Sequence, residues 1–134
     1  MAKTFIENKV IIAVDFDGTI TTELTWTPIG TLELREGCKE ALEYLRDIGC
    51  DLLLWTCRTG EALSEALTFL HTHQMGYLFQ AINNHHPDVL GKYPDIARKI
   101  AADFYVDDKT IMGELDWGKV CDFIKKKYGS DLFV

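Results

Sequence analysis

The chain has 134 residues, a hydrophobic content of 47% and a formal net charge of −7. This length suits a single domain, 1–134, whose folding buries roughly two-thirds of the surface that the unfolded chain exposes. The negative charge excludes bulk electrostatic binding to nucleic acid or to an anionic membrane, but it is compatible with a site that holds a divalent cation.

The first half of the chain predicts two strands, each followed by a helix. The apolar run "VIIAVDF" (10–16) is typical of a buried strand. Apolar residues then recur at helical spacing over 38–48, directly before a glycine that favours a helix end. A second apolar run, "CDLLLWT" (50–56), predicts the next strand, and the helical spacing returns over 63–70.

The second half continues the alternation. "YLFQAIN" (77–83) is a weaker strand candidate, "ADFYVDD" (102–108) a stronger one, and a helical stripe follows over 117–128. Strands that alternate with helices favour βαβ units with right-handed crossovers. We therefore predict an α/β fold, a three-layer Rossmann-like parallel sheet with helices on both faces.

The cysteine pattern and the apolar runs indicate a compartment. Cys38, Cys50, Cys57 and Cys121 show none of the spacings of Cys or Cys/His metal sites. The opening "MAKTFIENK" lacks the apolar core of a signal peptide. No segment approaches the ~20 apolar residues of a membrane span. We therefore expect a reduced, cytoplasmic protein.

Polar residues mark the ends of three predicted strands. They are Asp15 and Asp17, Thr56 and Arg58, and Asp107 and Asp108. In open parallel sheets, ligands bind beyond the carboxyl ends of the strands. We therefore expect all three pairs to lie at one edge of the sheet. We also expect His85 and His86 to lie in a loop near this edge. In that loop we expect the two histidines to be solvated; contact with substrate is the alternative.

The first pair suits a metal site. Alternation along a strand turns Asp15 and Asp17 to the same side. Two neighbouring carboxylates repel each other and resist ionising unless a cation is present. Mg²⁺ would be such a cation, and Asp107 adds a third carboxylate to bind it. Gly18 permits a close turn, and Thr19 offers a hydroxyl to fix Asp17.

The second pair suits a phosphoryl group. Thr56 offers a hydroxyl, and the backbone N–H groups that follow it suit a phosphoryl oxygen. A lysine would complete the charge balance around a transferring phosphate.

Three segments carry a resemblance to a known family. "DFDGT" (15–19), "LLLWT" (52–56) and "FYVDD" (104–108) resemble, in order, the motifs of the haloacid dehalogenase-like phosphohydrolase superfamily. "TCRTG", "PIG" and "DWG" are similar to stretches of its small bacterial members.

The resemblance implies roles for the acids. Asp15 would be the nucleophile that forms an aspartyl-phosphate, and Asp17 would protonate the leaving oxygen and then activate water. Asp15, the backbone carbonyl of Asp17 and Asp107 would hold Mg²⁺. Asp108 would support these ligands.

It also implies the contacts of the substrate. Thr56 would bind the phosphoryl group with the Cys57 amide beside it, and Gly18 and Thr19 would line the same site. Arg58 would either bind substrate phosphate or pair with an acid.

The resemblance also implies a lysine in the active site and a particular size for the segment that covers it. Lys99 is the favoured lysine and Lys92 the alternative. Only residues 20–36 separate the first motif from the next helix. The resemblance therefore implies a protein without a cap domain, which has a short hairpin flap in its place. Trp26 in that flap would be a lid or stacking residue.

The predicted function is a Mg²⁺-dependent phosphatase acting on a small phosphorylated metabolite, a sugar phosphate or a nucleotide. Phosphotransfer to another acceptor remains open, and an open site favours a possible homo-oligomer. The rivals are a phospho-accepting receiver-like signalling module and a non-catalytic binding protein with this fold. A receiver would carry its phosphorylated aspartate at the third strand, where this chain has "QAINNHH" (80–86).

Overall fold

A computed structural model describes residues 4–22, 31–111 and 113–129. Its sheet has four parallel strands in the spatial order β3-β2-β1-β4. In chain order the strands are β1 (Val10–Val14), β2 (Cys50–Leu54), β3 (Phe79–Ile82) and β4 (Phe104–Val106). These strands confirm the predicted α/β parallel sheet, including the weaker strand candidate.

Over these described residues, three α-helices and a 3-10 helix lie between the strands, and another α-helix follows the last strand. They are α1 (Cys38–Asp47), α2 (Gly60–Thr72), the 3-10 helix Gly76–Leu78, α3 (Pro87–Lys92) and α4 (Trp117–Tyr128). The sequence predicted all of the α-helices except α3, whose six residues are too few to show helical periodicity. Within the described ranges, no helix combines the length and apolarity that a membrane crossing requires.

The strand order explains which face each helix covers. From β1 to β2 to β3 the chain moves in one direction, so right-handed crossovers put α1 and α2 on one face. The chain then returns past β1 to β4, which puts α3 on the other. The core agrees: α1, α2 and α4 pack on one side of the sheet, and Val89 of α3 packs with Ile100 and Ala102 on the opposite side.

Strand β1 is at the centre of this core. Val10, Ile12 and Val14 face the cluster that contains α1, α2 and α4, whereas Ile11 and Ala13 face the cluster of α3. All five are buried. A strand covered on both faces has no polar side, which is why the sequence shows a continuous apolar run without alternation.

The histidines before α3 are not in a solvated loop, so that prediction is wrong. His85 and His86 are both buried. His86 Nδ1 accepts the N–H of Asp88 at 3.0 Å, so its Nε2 carries the hydrogen and donates to Asp51 Oδ2 at 2.8 Å. The ring therefore caps α3 and joins it to β2.

The base of the predicted hairpin flap is described. Thr21 forms an antiparallel bridge with Leu34, and the N–H of Thr22 donates to the carbonyl of Glu33 at 3.0 Å. Trp26, the predicted lid, lies outside the described residues.

Candidate active site

Three carboxylates come together beyond the ends of β1 and β4. Asp15 follows β1, and Asp107 and Asp108 follow β4. Each offers a carboxylate oxygen, and these oxygens lie within 4.8 Å of one another. The register that pairs Val14 with Val106 brings these strand ends to the same place. The acids that the sequence assigned to one edge of the sheet are therefore neighbours.

The hydroxyl of Thr19 connects the same acids. It accepts the N–H of Asp108 at 2.9 Å and lies 3.2 Å from both Asp15 Oδ2 and Asp108 Oδ1, so its hydrogen reaches one carboxylate or the other. The prediction that Thr19 fixes Asp17 is wrong. Thr19 is fully buried and supports the acids, and its contact with substrate stays a prediction.

Gly18 adopts the close turn that the sequence predicted, with φ at 79°. Its N–H donates to Thr21 Oγ1 at 3.2 Å, and its carbonyl accepts from Arg35 Nη2 at 2.6 Å. The residue is buried and both of its backbone groups are occupied. Gly18 therefore shapes the loop, and its contact with substrate stays a prediction.

Burial and charge both act on Asp15. Removal from water, followed by the nearby charge of Asp107, raises the pKa of Asp15 to about 7. In the part of the chain that the structure describes, no cation forms an ion pair with Asp15, Asp107 or Asp108. A group of carboxylate oxygens without a cationic partner fits a hard divalent cation such as Mg²⁺.

Asp17 points elsewhere. Its carboxylate accepts two hydrogen bonds from Arg58, Nε to Oδ2 at 2.9 Å and Nη2 to Oδ1 at 2.8 Å. Arg58 is fully buried, its Nη1 donates to the carbonyl of Ala62 at 3.0 Å, and its guanidinium lies 5.2 Å from the centre of the Phe16 ring. Of the two predicted roles for Arg58, the structure shows pairing with an acid, and binding of substrate phosphate stays a prediction.

Among the described contacts of 56–58, in the loop after β2, two hydrogen-bond donors remain for a ligand. The N–H of Thr56 is bound by Asn83 Oδ1 at 2.8 Å, and that of Arg58 by Thr56 Oγ1 at 3.2 Å. The N–H of Cys57 has no partner among the described residues. Trp55 donates to the carbonyl of Val14 at 2.8 Å, which places this loop beside the end of β1. The binding of a phosphoryl group by the Cys57 amide and the Thr56 hydroxyl stays a prediction.

The structure does not bring either candidate lysine to the acids. Lys99 Nζ lies 5.1 Å from the centre of the Tyr105 ring, and Lys92 Nζ donates to the carbonyl of Phe5 at 3.2 Å. The N–H of Phe5 in turn donates to the carboxylate of Asp103. Asp103 directly precedes β4, so it lies at the end of the sheet opposite to the three acids. Both lysines belong to the layer that covers the α3 face, where sequence spacing alone could not place them.

Three supports of the site were missed at the level of sequence. Trp117 Nε1 donates to the carbonyl of Thr19 at 3.0 Å, Arg35 holds the carbonyl of Gly18, and Asn83 holds the loop after β2. Trp117 showed only as a member of a helical apolar stripe. For Asn83 the signal was the pair "NN" after a strand, since asparagine tolerates left-handed backbone in turns.

Comparisons with known proteins identify a relative. No protein-family model matches the chain, and no curated protein matches it. A solved structure of a conserved protein coded by a locus of Bacteroides thetaiotaomicron superposes with a TM-score of 0.73. The two chains are 32% identical over an alignment that covers 89% of this chain and 92% of the other. The chain therefore belongs to the same protein family as this conserved Bacteroides protein.

Proposed function

We propose that the protein is a Mg²⁺-dependent phosphatase of the haloacid dehalogenase-like type, which hydrolyses a phosphate monoester through an aspartyl-phosphate on Asp15. The observation that carries the proposal is the convergence of Asp15, Asp107 and Asp108 at the sheet edge. The unoccupied Cys57 amide and the Thr56 hydroxyl on the neighbouring strand end add hydrogen-bond donors for a phosphoryl group.

The chemistry divides into two displacements. In the first, a carboxylate oxygen of Asp15 attacks phosphorus, the bond from phosphorus to the ester oxygen breaks, and Asp17 gives a proton to that oxygen. In the second, water attacks the aspartyl-phosphate while Asp17 takes its proton. The bond to Asp15 breaks, and inorganic phosphate leaves.

The acids fit a magnesium ion. Asp15 and Asp107, with Asp108 beside them and the backbone carbonyl of Asp17, would hold it through oxygen atoms. When bound, Mg²⁺ would offset the negative charge of these carboxylates and of the phosphoryl oxygens. The raised pKa of Asp15 supports this fit, because nearby negative charge that opposes ionisation also favours a bound cation.

The pair formed by Arg58 and Asp17 adds a requirement to the proposal. The Asp17 carboxylate is held by hydrogen bonds from the Nε and Nη2 atoms of a buried guanidinium. To protonate a leaving group, Asp17 must first take up a proton from solvent, and it must exchange at least one of these bonds for the ester oxygen; in the second displacement it regains a proton from the attacking water. Arg58 therefore holds the Asp17 side chain in place until the ester oxygen replaces one of these hydrogen bonds.

The test is release of phosphate from a panel of monoesters that includes p-nitrophenyl phosphate, sugar phosphates and nucleotides. We expect turnover with Mg²⁺, none in EDTA, and none with Asp15→Asn, whose amide is a poor nucleophile. Asp122→Asn on the exposed surface of α4 is the matched control, since it removes the same charge from a residue that is not one of the three clustered acids. Full activity of Asp15→Asn would contradict the proposal.

A further inference from the structure

Asn83 directly follows β3 and has no role in the proposed reaction as described above. Its backbone N–H donates to the carbonyl of Leu54 at 2.7 Å, so it continues the hydrogen bonding between β2 and β3 beyond the strand. Its φ is 52°, in the left-handed region. Both features fix the residue beside the loop that follows β2.

The side chain of Asn83 spans that loop. Its Oδ1 accepts the N–H of Thr56 at 2.8 Å, and its Nδ2 approaches the carbonyl of Arg58 at 3.4 Å. The two partners fix the orientation of the amide, because a backbone N–H requires the oxygen and a carbonyl requires the nitrogen. One side chain thus holds the first and the third residue of the loop 56–58.

We propose that Asn83 is a positioning residue that shapes 56–58 into an anion-binding loop. By binding the N–H of Thr56, it keeps that amide turned toward β3. The N–H of Arg58 is bound within the loop by Thr56 Oγ1. The donors that remain for a phosphoryl oxygen are the Cys57 amide and the Thr56 hydroxyl hydrogen. This inference rests on the proposed function, since it assigns phosphate to this loop.

The combination of requirements favours asparagine at this position. A left-handed φ favours glycine, asparagine and aspartate. Glycine offers no side-chain partner, and an aspartate carboxylate accepts from Thr56 but cannot donate to Arg58. Among these three residues, asparagine alone meets both hydrogen-bonding requirements and tolerates the backbone.

The experiment compares Asn83→Gly and Asn83→Asp with the wild type. Asn84→Gly is the control, because Asn84 is exposed and, among the described residues, its side chain bonds only to the next residue, His85. Affinity for inorganic phosphate is measured by calorimetry in the presence of Mg²⁺. Hydrogen exchange of the Thr56 amide is followed by NMR, and the rise in melting temperature caused by Mg²⁺ reports the metal site separately.

We expect Asn83→Gly to weaken phosphate binding about tenfold, as for the loss of one hydrogen bond that orders the binding groups. Exchange at the Thr56 amide should become faster, while the response to Mg²⁺ stays at the wild-type value. Asn83→Asp should keep the Thr56 amide protected because the acceptor remains. Asn84→Gly should match the wild type throughout.

Two results overturn the inference alone. In the first, Asn83→Gly binds phosphate with wild-type affinity. In the second, Asn83→Gly loses the rise in melting temperature caused by Mg²⁺ together with its phosphate affinity. A wild type that neither binds phosphate nor hydrolyses any ester overturns the proposed function together with the inference. The failure of the two proposals is therefore distinguishable.

Discussion

Asp15 and Asp17 are two residues apart, yet they have different partners. Asp15 lies with Asp107 and Asp108, whereas the carboxylate of Asp17 is bound by Arg58. Period-two alternation alone predicted that the two carboxylates would share one site. The difference arises because a buried guanidinium competes for Asp17, and a charged hydrogen bond of this kind is stronger than a neutral one.

The two aspartates should therefore respond differently to substitution by asparagine. Asp17→Asn keeps the backbone carbonyl that would reach the metal, so Mg²⁺ binding and formation of a beryllofluoride adduct on Asp15 should survive. The loss should fall on proton transfer, about 10²- to 10⁴-fold in kcat. It should be smaller for aryl phosphates, whose leaving groups need less protonation. An equal loss for aryl and alkyl esters would contradict this role.

The raised pKa of Asp15 predicts how metal-free stability depends on pH. Burial and Asp107 raise this pKa from 3.8 to about 7, so the folded state binds a proton more readily than the unfolded state. The contribution of Asp15 to the free energy of unfolding is therefore fully present below about pH 4 and is lost as the pH rises through about 7. In EDTA, the melting temperature of the wild type should show this decline between about pH 4 and about pH 7 and level off above that.

Asp15→Asn removes the titrating group, so it should flatten that decline. Asp51 has its pKa lowered from 3.8 by hydrogen bonds from His86 and Lys9, which outweigh the raising effect of burial. Asp51 titrates below this window and should not contribute to the slope. An unchanged slope in Asp15→Asn would show that another group is responsible.

At the scale of elements, the strands and long helices could be predicted because each carries many consistent residues. Four apolar runs and three helical stripes have the lengths and spacings that buried strands and amphipathic helices require. Helix α3 could not be predicted in this way. It is held by a histidine cap and by contacts with β2 that are distant in sequence.

The cap of α3 gives a prediction at this scale. His86→Ala removes the acceptor for the N–H of Asp88 and the buried donor to Asp51, so it should lower the free energy of unfolding by about 2 kcal/mol. Urea unfolding measures this, with an unchanged m-value. His71→Ala, at an exposed position of α2, is the matched control. A midpoint equal to that of the wild type would mean that the cap is not structural.

At the scale of the whole molecule, the parallel sheet explains why so much of the site could be read from the sequence. Strand ends that are distant in the chain meet at one edge, so Asp15, Thr56 and Asp107 could be assigned to one place from the order of elements alone. The lysine could not be assigned. Lys92 ends the short helix α3, Lys99 lies in the connection to β4, and the direction of their side chains depends on contacts with Phe5 and Tyr105.

The net charge of −7 makes the response to a divalent cation a test of the whole molecule. Any cation relieves general repulsion, so the comparison is with NaCl at matched ionic strength. If the three acids hold Mg²⁺, it should stabilise the fold by about 2.7 kcal/mol at a hundred times its Kd, a rise of several degrees in melting temperature.

Two variants separate the specific effect from the general one. Asp107→Asn removes one of the three acids and should weaken the Mg²⁺ response, whereas Asp122→Asn removes an exposed charge from α4 and should leave it intact. Both variants change the net charge by one unit, so screening affects them alike. Equal responses from the two variants, or a wild type that melts identically in EDTA and in millimolar Mg²⁺, would remove the metal site. Because the proposed phosphatase depends on that site, its reaction would lose its support as well.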